Sequence, residues 1–274
     1  MPGVLGDTQR VLRCGDHPER TPEPSPTGLV EQTFWERDYY WAGAALPCRP
    51  DPRLPIDRAL GAALLELAGV GPKDSVIEIG CAPAKWLVHL AEGSGARVEG
   101  IEYSHQGAEL SSANLTACGV EGKIHRADFF THEPSRYDLV LSLGFIEHFE
   151  ELDRVFARHV AFVAPGGRLL LGVPNFLGLN GFLQRHSDPS YLALHNLRAM
   201  DSAELRRLGD RNGLQLLDQR YVGGADAVIV KPGPAWVNGI MLLEGGLRRL
   251  RFSERINHRW FAPYLLTTYR KPRA

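Results

Sequence analysis

Apolar positions fall into two rhythms that take turns along the chain from about residue 56. Ile56, Leu60, Ala63, Leu64 and Leu67 share one face of a 3.6-residue repeat, which predicts a helix over 56–67 that ends in the Gly69 to Asp74 stretch. Val76, Ile77 and Ile79 then crowd around one carboxylate, Glu78, and stop at Gly80, as a buried parallel strand over 75–79 would. A loop of small residues, Cys81 to Ala84, opens a helix in which Trp86, Leu87, Leu90 and Ala91 return at helical spacing. The alternation goes on: a strand over 97–101 ending in Glu102, a helix over 105–115, a strand over 123–127 ending in Asp128, and a strand over 138–143. Leu152, Val155, Phe156, Val160 and Val163 mark the next helix, and 163–176 holds a fifth strand with a Pro165-Gly166-Gly167 turn. Asp201, with Glu204 three residues on, predicts a capped helix through Leu205 and Leu208 to Asn212, stopped by Gly213. Residues 214–221 read as a strand, 227–230 extend it or pair with it, and a last strand starts at Pro263. Strands and helices in this alternation require an α/β fold with a mainly parallel, doubly wound sheet.

Three regions depart from the rhythm. Residues 1–29 carry Pro2, Pro18, Pro22, Pro24 and Pro26 among small and charged residues, which predicts a flexible N-terminal arm. Residues 30–55 begin with Phe34, Trp35, Tyr39, Tyr40 and Trp41, rings that either fold over a ligand as a lid or plug the open end of the core. The domain proper then covers 56–274, with insertions at about 175–200 and 232–261. The first insertion follows a strand's carboxyl end, where open α/β sheets bind ligands, and makes a candidate substrate wall. In the second, Arg248, Arg249, Arg251, Arg255 and Arg259 stand against Glu244 and Glu254, either an anion-attracting surface or a solvated helix face.

With 274 residues and 44% hydrophobic content the chain can bury a full core. A formal charge of −1 argues against a general nucleic-acid binder, which needs a basic surplus. Cys14, Cys48, Cys81 and Cys118 are scattered without a C-x-x-C pair, which suggests neither a zinc site nor a disulfide framework. No run reaches the ~18 apolar residues of a membrane span, so the expectation is a cytoplasmic protein acting on a small molecule, with no metal.

Candidate chemistry gathers at the strand ends. Glu78, Ile79, Gly80, Cys81, Ala82, Pro83 and Ala84 resemble motif I of the class I S-adenosylmethionine (SAM) dependent methyltransferases, an acidic residue, an apolar one, then G-x-G-x-G, with Ala82 and Ala84 in place of two glycines. Glu102 lies 22 positions after Gly80 (102 − 80), close to the ~20 expected of a carboxylate that grips a ribose. A nicotinamide enzyme would share that feature, but its G-x-G-x-x-G would need glycines where Ala82 and Lys85 stand. The stretch YDLVLSLGFIEHF resembles the family's motif IV, and the strand from Pro263 its antiparallel seventh. The resemblance implies a Rossmann-like, seven-stranded sheet and SAM as cofactor. It also implies that Glu78 faces the methionine ammonium, that Gly80 and Ala82 let backbone approach, that Glu102 takes the ribose hydroxyls and that Asp128 meets the adenine. Phe129 would lie on the adenine ring, with Tyr103 and Ser142 as further cofactor contacts.

The transferred methyl goes to an acceptor that must lose a proton, and a histidine is the natural proton acceptor. His148 and His195 are the two candidates, with Glu147, Asn175 and Tyr191 and the ring residues Tyr40 and Trp41 as candidate substrate contacts. The expected activity is methyl transfer to an oxygen, less favourably a nitrogen, of a small acceptor such as a specialised metabolite or a glycosylated or lipid-like molecule. The alternatives are a SAM-binding scaffold without turnover, which Ala82 and Ala84 allow, and an NAD-dependent oxidoreductase.

Overall fold

The computed structural model describes residues 28–30, 34–35, 45–248 and 256–273, with side chains 247 and 248 left aside. Its elements are α1 (Pro55–Ala68), β1 (Ser75–Ile79), α2 (Lys85–Ser94), β2 (Arg97–Glu102), α3 (His105–Cys118), β3 (Gly122–Arg126) and β4 (Tyr137–Leu143). There follow α4 (Leu152–Phe162), β5 (Val163–Pro174), α5 (Leu179–Ser187), α6 (Pro189–Ala193), α7 (Ser202–Arg211), β6 (Gln215–Val222), α8 (Ala235–Arg248) and β7 (Tyr264–Arg270).

One seven-stranded sheet in the order β3-β2-β1-β4-β5-β7-β6 carries the fold. Its first five strands run parallel, and β7 lies antiparallel between β5 and β6. Ile79 stands level with Ile101 on one side and Ser142 on the other, so the carboxyl ends of β1, β2 and β4 form one rim. The strand order reverses between β1 and β4, the place where sheets of this type open a crevice.

Period-two alternation divides the β1 side chains between the two faces. Ile77 and Ile79 join Val140, Leu169 and Leu171 under α4 and α7, where Val155, Phe156, Leu205 and Leu208 are fully buried. Val76 turns to the opposite face with Leu139, Leu141 and Leu170, beneath Leu60, Leu64 and Leu67 of α1 and Leu87 and Leu90 of α2. Each such buried leucine contributes roughly 2 kcal/mol of transfer free energy, so the helices are held by packing rather than by propensity. By the same alternation Glu78 shares the face of Val76, buried at 2% exposure.

Several expectations change. Ala227 to Val230 is a turn, closed by the Val230 N–H on the Ala227 carbonyl at 2.9 Å, and neither extends β6 nor pairs with it. The insertion after β5, to which the sequence pattern assigns no elements, folds into α5, α6 and a 3₁₀ turn over Leu197–Met200. Asp201 caps α7 by accepting from the Ala203 N–H, but Glu204 does not complete the box, because Arg198 and Arg207 hold its carboxylate. The Pro165-Gly167 turn is a bulge within β5: pairing with β4 jumps from Tyr137↔Val163 to Leu139↔Arg168, and Gly166 sits at φ +85°.

At the N-terminal side, Gly28 bridges to Phe149 and the Leu29 N–H donates to the His148 carbonyl at 2.7 Å, which ties this segment to the rim. Tyr39, Tyr40 and Trp41, most of the expected arm, and residues 249–255 of the arginine-rich stretch lie outside the described residues.

Candidate functional site

β1 ends at Gly80 in the left-handed region, φ +70°, and the N–H groups of Gly80 and Cys81 both donate to the Ile101 carbonyl, at 2.9 and 3.3 Å. That turn swings the chain over the rim and brings the Ala82 N–H to Glu102 Oε2 at 3.3 Å. Ala84, the last residue before α2, also takes a left-handed conformation, φ +63°, with its side chain fully buried. Of the two alanines that replace glycines, Ala84 therefore carries the backbone strain, and Ala82 does not.

The rim opens on a cleft with about 990 Å³ of empty space, open solvent at its mouth included. Gly80, Ala82, Glu102, Tyr103, Asp128 and Phe129 line it, as does His148. Glu102 Oε1 accepts from the Ser104 N–H at 2.9 Å, which fixes the carboxylate at the tip of β2. Asp128, just beyond β3, holds Oδ1 on the Phe130 N–H at 2.8 Å.

An aromatic wall closes one side. The Phe129 ring meets Phe145 at 5.4 Å, and Phe149 meets Phe145 at 4.9 Å and Phe130 at 5.4 Å. Phe145 and Phe149 were not singled out from the sequence, since a ring after a strand most often fills a core. Their role shows only where the turn after β4, with Gly144 at φ +66°, aims them at the motif loop. Val30 and Trp35 also line the cleft, Trp35 with its ring 5.0 Å from that of His148.

Glu78 is not part of that wall. It lies behind the loop, accepts from the Leu87 backbone, and has one oxygen, Oε2, without a hydrogen-bond partner among the described residues. Burial pushes its carboxyl well above the usual range, against the pull of Lys85. Ser142 is likewise buried, with its hydroxyl unpartnered.

A second group of sequence candidates converges beside the cleft. The short 3₁₀ turn Ile146–His148 sets Glu147 Oε1 3.9 Å from His148 Nε2. The His148 and His195 rings lie 4.9 Å apart, and Tyr191 packs against His195 at 4.9 Å. His148 Nδ1 is bound to the Leu194 carbonyl and His195 Nδ1 to the Tyr191 carbonyl, both at 2.9 Å. A carbonyl only accepts, so each neutral ring carries its proton on Nδ1 and keeps the Nε2 lone pair open. Burial lowers both histidines, His148 to about 3, and lifts the Glu147 carboxyl to about 8. Neither histidine therefore holds the near-neutral pKa that its type suggests.

Asn175 does not join this group. Its side-chain amide donates to the carbonyls of Arg259 and Ala262, both at 2.8 Å, and fastens the end of β5 to the segment before β7. Tyr40 and Trp41 are outside the described residues.

A doubly wound sheet whose strand tips carry carboxylates into an aromatic cleft defines a nucleoside-binding α/β protein. Residues 53–219 match the methyltransferase-domain family Methyltransf_23, and the chain belongs to the class I SAM-dependent methyltransferases. The methyltransferase GfsG of Streptomyces halstedii is 24% identical over 136 residues, 48% of this chain and 48% of that protein. Norajmaline N-methyltransferase of Rauvolfia serpentina is 26% identical over 104 residues, 36% of this chain and 35% of the other. The chain thus matches half or less of the length of these relatives. Geranyl diphosphate C-methyltransferase of Streptomyces coelicolor A3(2), solved with Mg²⁺, geranyl diphosphate and S-adenosyl-L-homocysteine, shares the fold at a TM-score of 0.55 and 15% identity, over 78% of this chain and 77% of that one. The cofactor is SAM. The cleft fits it: acceptor oxygens stand on two adjacent strand tips, an apolar ring lies beside them, and Gly80 leaves a backbone edge that any side chain would cover. Among the described residues no helix is long and apolar enough to cross a membrane.

Proposed function

We propose that the protein transfers the methyl group of SAM to a nitrogen or oxygen of a small-molecule acceptor in the cytoplasm. The observation that carries this reading is that Glu102 and Asp128 line the same cleft as His148, with Glu147 and His195 packed beside that histidine. Glu102 accepts from the ribose hydroxyls, Asp128 from the adenine amino group, and Phe129 lies against the base. Glu78, buried with Oε2 unpartnered among the described residues, offers that oxygen to the methionine ammonium, whose charge draws the buried carboxyl toward its ionised form. The cofactor, when bound, supplies an electrophilic methyl on a positively charged sulfur, so the protein has to align the acceptor, exclude water and take a proton. Trp35 and Val30 line the same cleft, and Nε2 of His148, too weakly basic to take the proton, accepts a hydrogen bond from the acceptor's N–H or O–H. The likeness to norajmaline N-methyltransferase, whose name gives a nitrogen of norajmaline as its target, supports a small-molecule acceptor.

Calorimetric titration with SAM and with S-adenosylhomocysteine tests the cofactor half of this reading, and release of S-adenosylhomocysteine in the presence of acceptor tests turnover. Binding without release across a broad acceptor panel would make the protein a SAM-binding scaffold. No binding at all would remove the proposal.

A further inference from the structure

Around His148, which lines the cleft, stands a group of side-chain atoms that accept hydrogen bonds. His148 Nε2 and His195 Nε2 have no proton to give, because their Nδ1 atoms are committed to Leu194 and Tyr191. Glu147 is 1% exposed, and its Oε2 has no hydrogen-bond partner among the described residues. Its other oxygen, Oε1, stands 3.9 Å from His148 Nε2, too far for a direct bond and right for one donor atom that touches both. A β-carbon built on Gly144, which lines the cleft, would come within 3.7 Å of the same Oε1, which places this oxygen next to the Gly144 backbone.

Two rings complete the surroundings. Trp35 meets His148 edge-on at 5.0 Å, and Phe176 meets His195 at 5.3 Å.

We propose that this pocket takes a protonated amine, held by Glu147 Oε1 and His148 Nε2 together, and that the enzyme is nitrogen-directed. The inference rests on the methyltransferase reading above and narrows its acceptor, reversing the preference for oxygen drawn from the sequence. One N–H bond of the bound ammonium breaks, its proton passes to the Glu147 carboxylate, and the electron pair stays on nitrogen. The reactive state is then a neutral amine beside a neutral carboxylic acid. An alcohol or phenol in the same place brings no positive charge for Glu147 to pair with and offers its O–H alone. Among the described residues no basic side chain sets the ionisation of Glu147: burial is what lifts its carboxyl to about 8. That value lies within a few units of an alkylammonium at ~10, close enough for the proton to move, whereas a histidine at about 3 takes it poorly.

The test uses the full-length protein saturated with S-adenosylhomocysteine and matched probe pairs, benzylamine with benzyl alcohol and tryptamine with tryptophol, titrated by calorimetry. At least one amine is expected to bind tenfold or more tightly than its alcohol, and Glu147→Gln to bring the pair within about threefold while S-adenosylhomocysteine affinity stays unchanged. In buffers of different ionisation enthalpy at pH 6.5, amine binding to the wild-type protein should release close to one proton as Glu147 ionises, and alcohol binding none. This second readout serves if the variant does not fold. Alcohols bound as tightly as their amines, no amine bound, amine binding without proton release, or a preference that survives Glu147→Gln would each overturn the proposal. Failure of S-adenosylhomocysteine to bind would strike the methyltransferase reading instead.

Discussion

A β-carbon at position 80 would stand 2.7 Å from Cδ2 of Phe145, because Gly80 turns out of β1 at φ +70° directly beneath that ring. The residue that ends the first strand and the residue that begins the turn after the fourth are thus fitted to each other across the cleft. Neither the backbone conformation nor the ring position leaves space for a side chain.

Gly80→Ala is therefore expected to lose stability and cofactor affinity together. The left-handed conformation alone costs about 1–2 kcal/mol for a residue with a β-carbon, before the ring has to move. Chemical denaturation and S-adenosylhomocysteine titration of the variant should show a drop of at least that size and a dissociation constant raised tenfold or more. Wild-type values in both would mean that Phe145 swings away freely.

Ala84→Gly should act in the opposite direction. Ala84 is fully buried at φ +63°, so it pays the left-handed penalty that glycine does not. Unfolding in urea is expected to show a net gain of up to about 1 kcal/mol, reduced by glycine's larger unfolded-state entropy. A loss of stability would show that the alanine methyl packs better than its backbone is strained.

Glu102→Ala should weaken the cofactor without touching the acceptor group. One Glu102 oxygen holds the Ser104 N–H at 2.9 Å and the other the Ala82 N–H at 3.3 Å, so the same carboxylate shapes the motif loop and faces the cleft. A rise of ten- to a hundredfold in the S-adenosylhomocysteine dissociation constant, roughly 1.4–2.8 kcal/mol, is expected by calorimetry. An unchanged constant would place the ribose elsewhere.

Acid should destabilise the fold through its buried histidines. His159 lies against Phe129 at 4.7 Å, with Nε2 unpartnered among the described residues, and burial lowers its pKa to about 4. The unfolded chain takes up the proton near pH 6.5 and the folded one only near 4, so this histidine's stability contribution is full above 6.5 and is lost as pH falls toward 4. That loss is on the order of 3 kcal/mol, and His148 adds to it over a window reaching about 3. Thermal melts between pH 7.5 and 4.5 should fall more steeply for the wild-type protein than for His159→Phe. Parallel curves would show that His159 is not the group titrating.

The seven strands, their order of appearance and most helix limits were legible in the sequence, because burying one stripe of a helix or both faces of a strand leaves a periodic trace in residue type. Glu102 was legible from its spacing after Gly80, and Asp128 from its place in the family resemblance. Periodicity carries no information across elements, and the acceptor side depends on just that. Glu147 and His148 come from the turn after β4, His195 from the far side of the insertion after β5, and only packing brings them within reach and strips them of water. Desolvation then inverts their chemistry: the histidines, reasonable bases as isolated side chains, become too weakly basic, while a glutamate that would be ionised in water becomes the group that titrates near neutral pH. Asn175, polar and placed after a strand, is drawn away by two backbone carbonyls more than eighty residues downstream, partners that no local pattern announces.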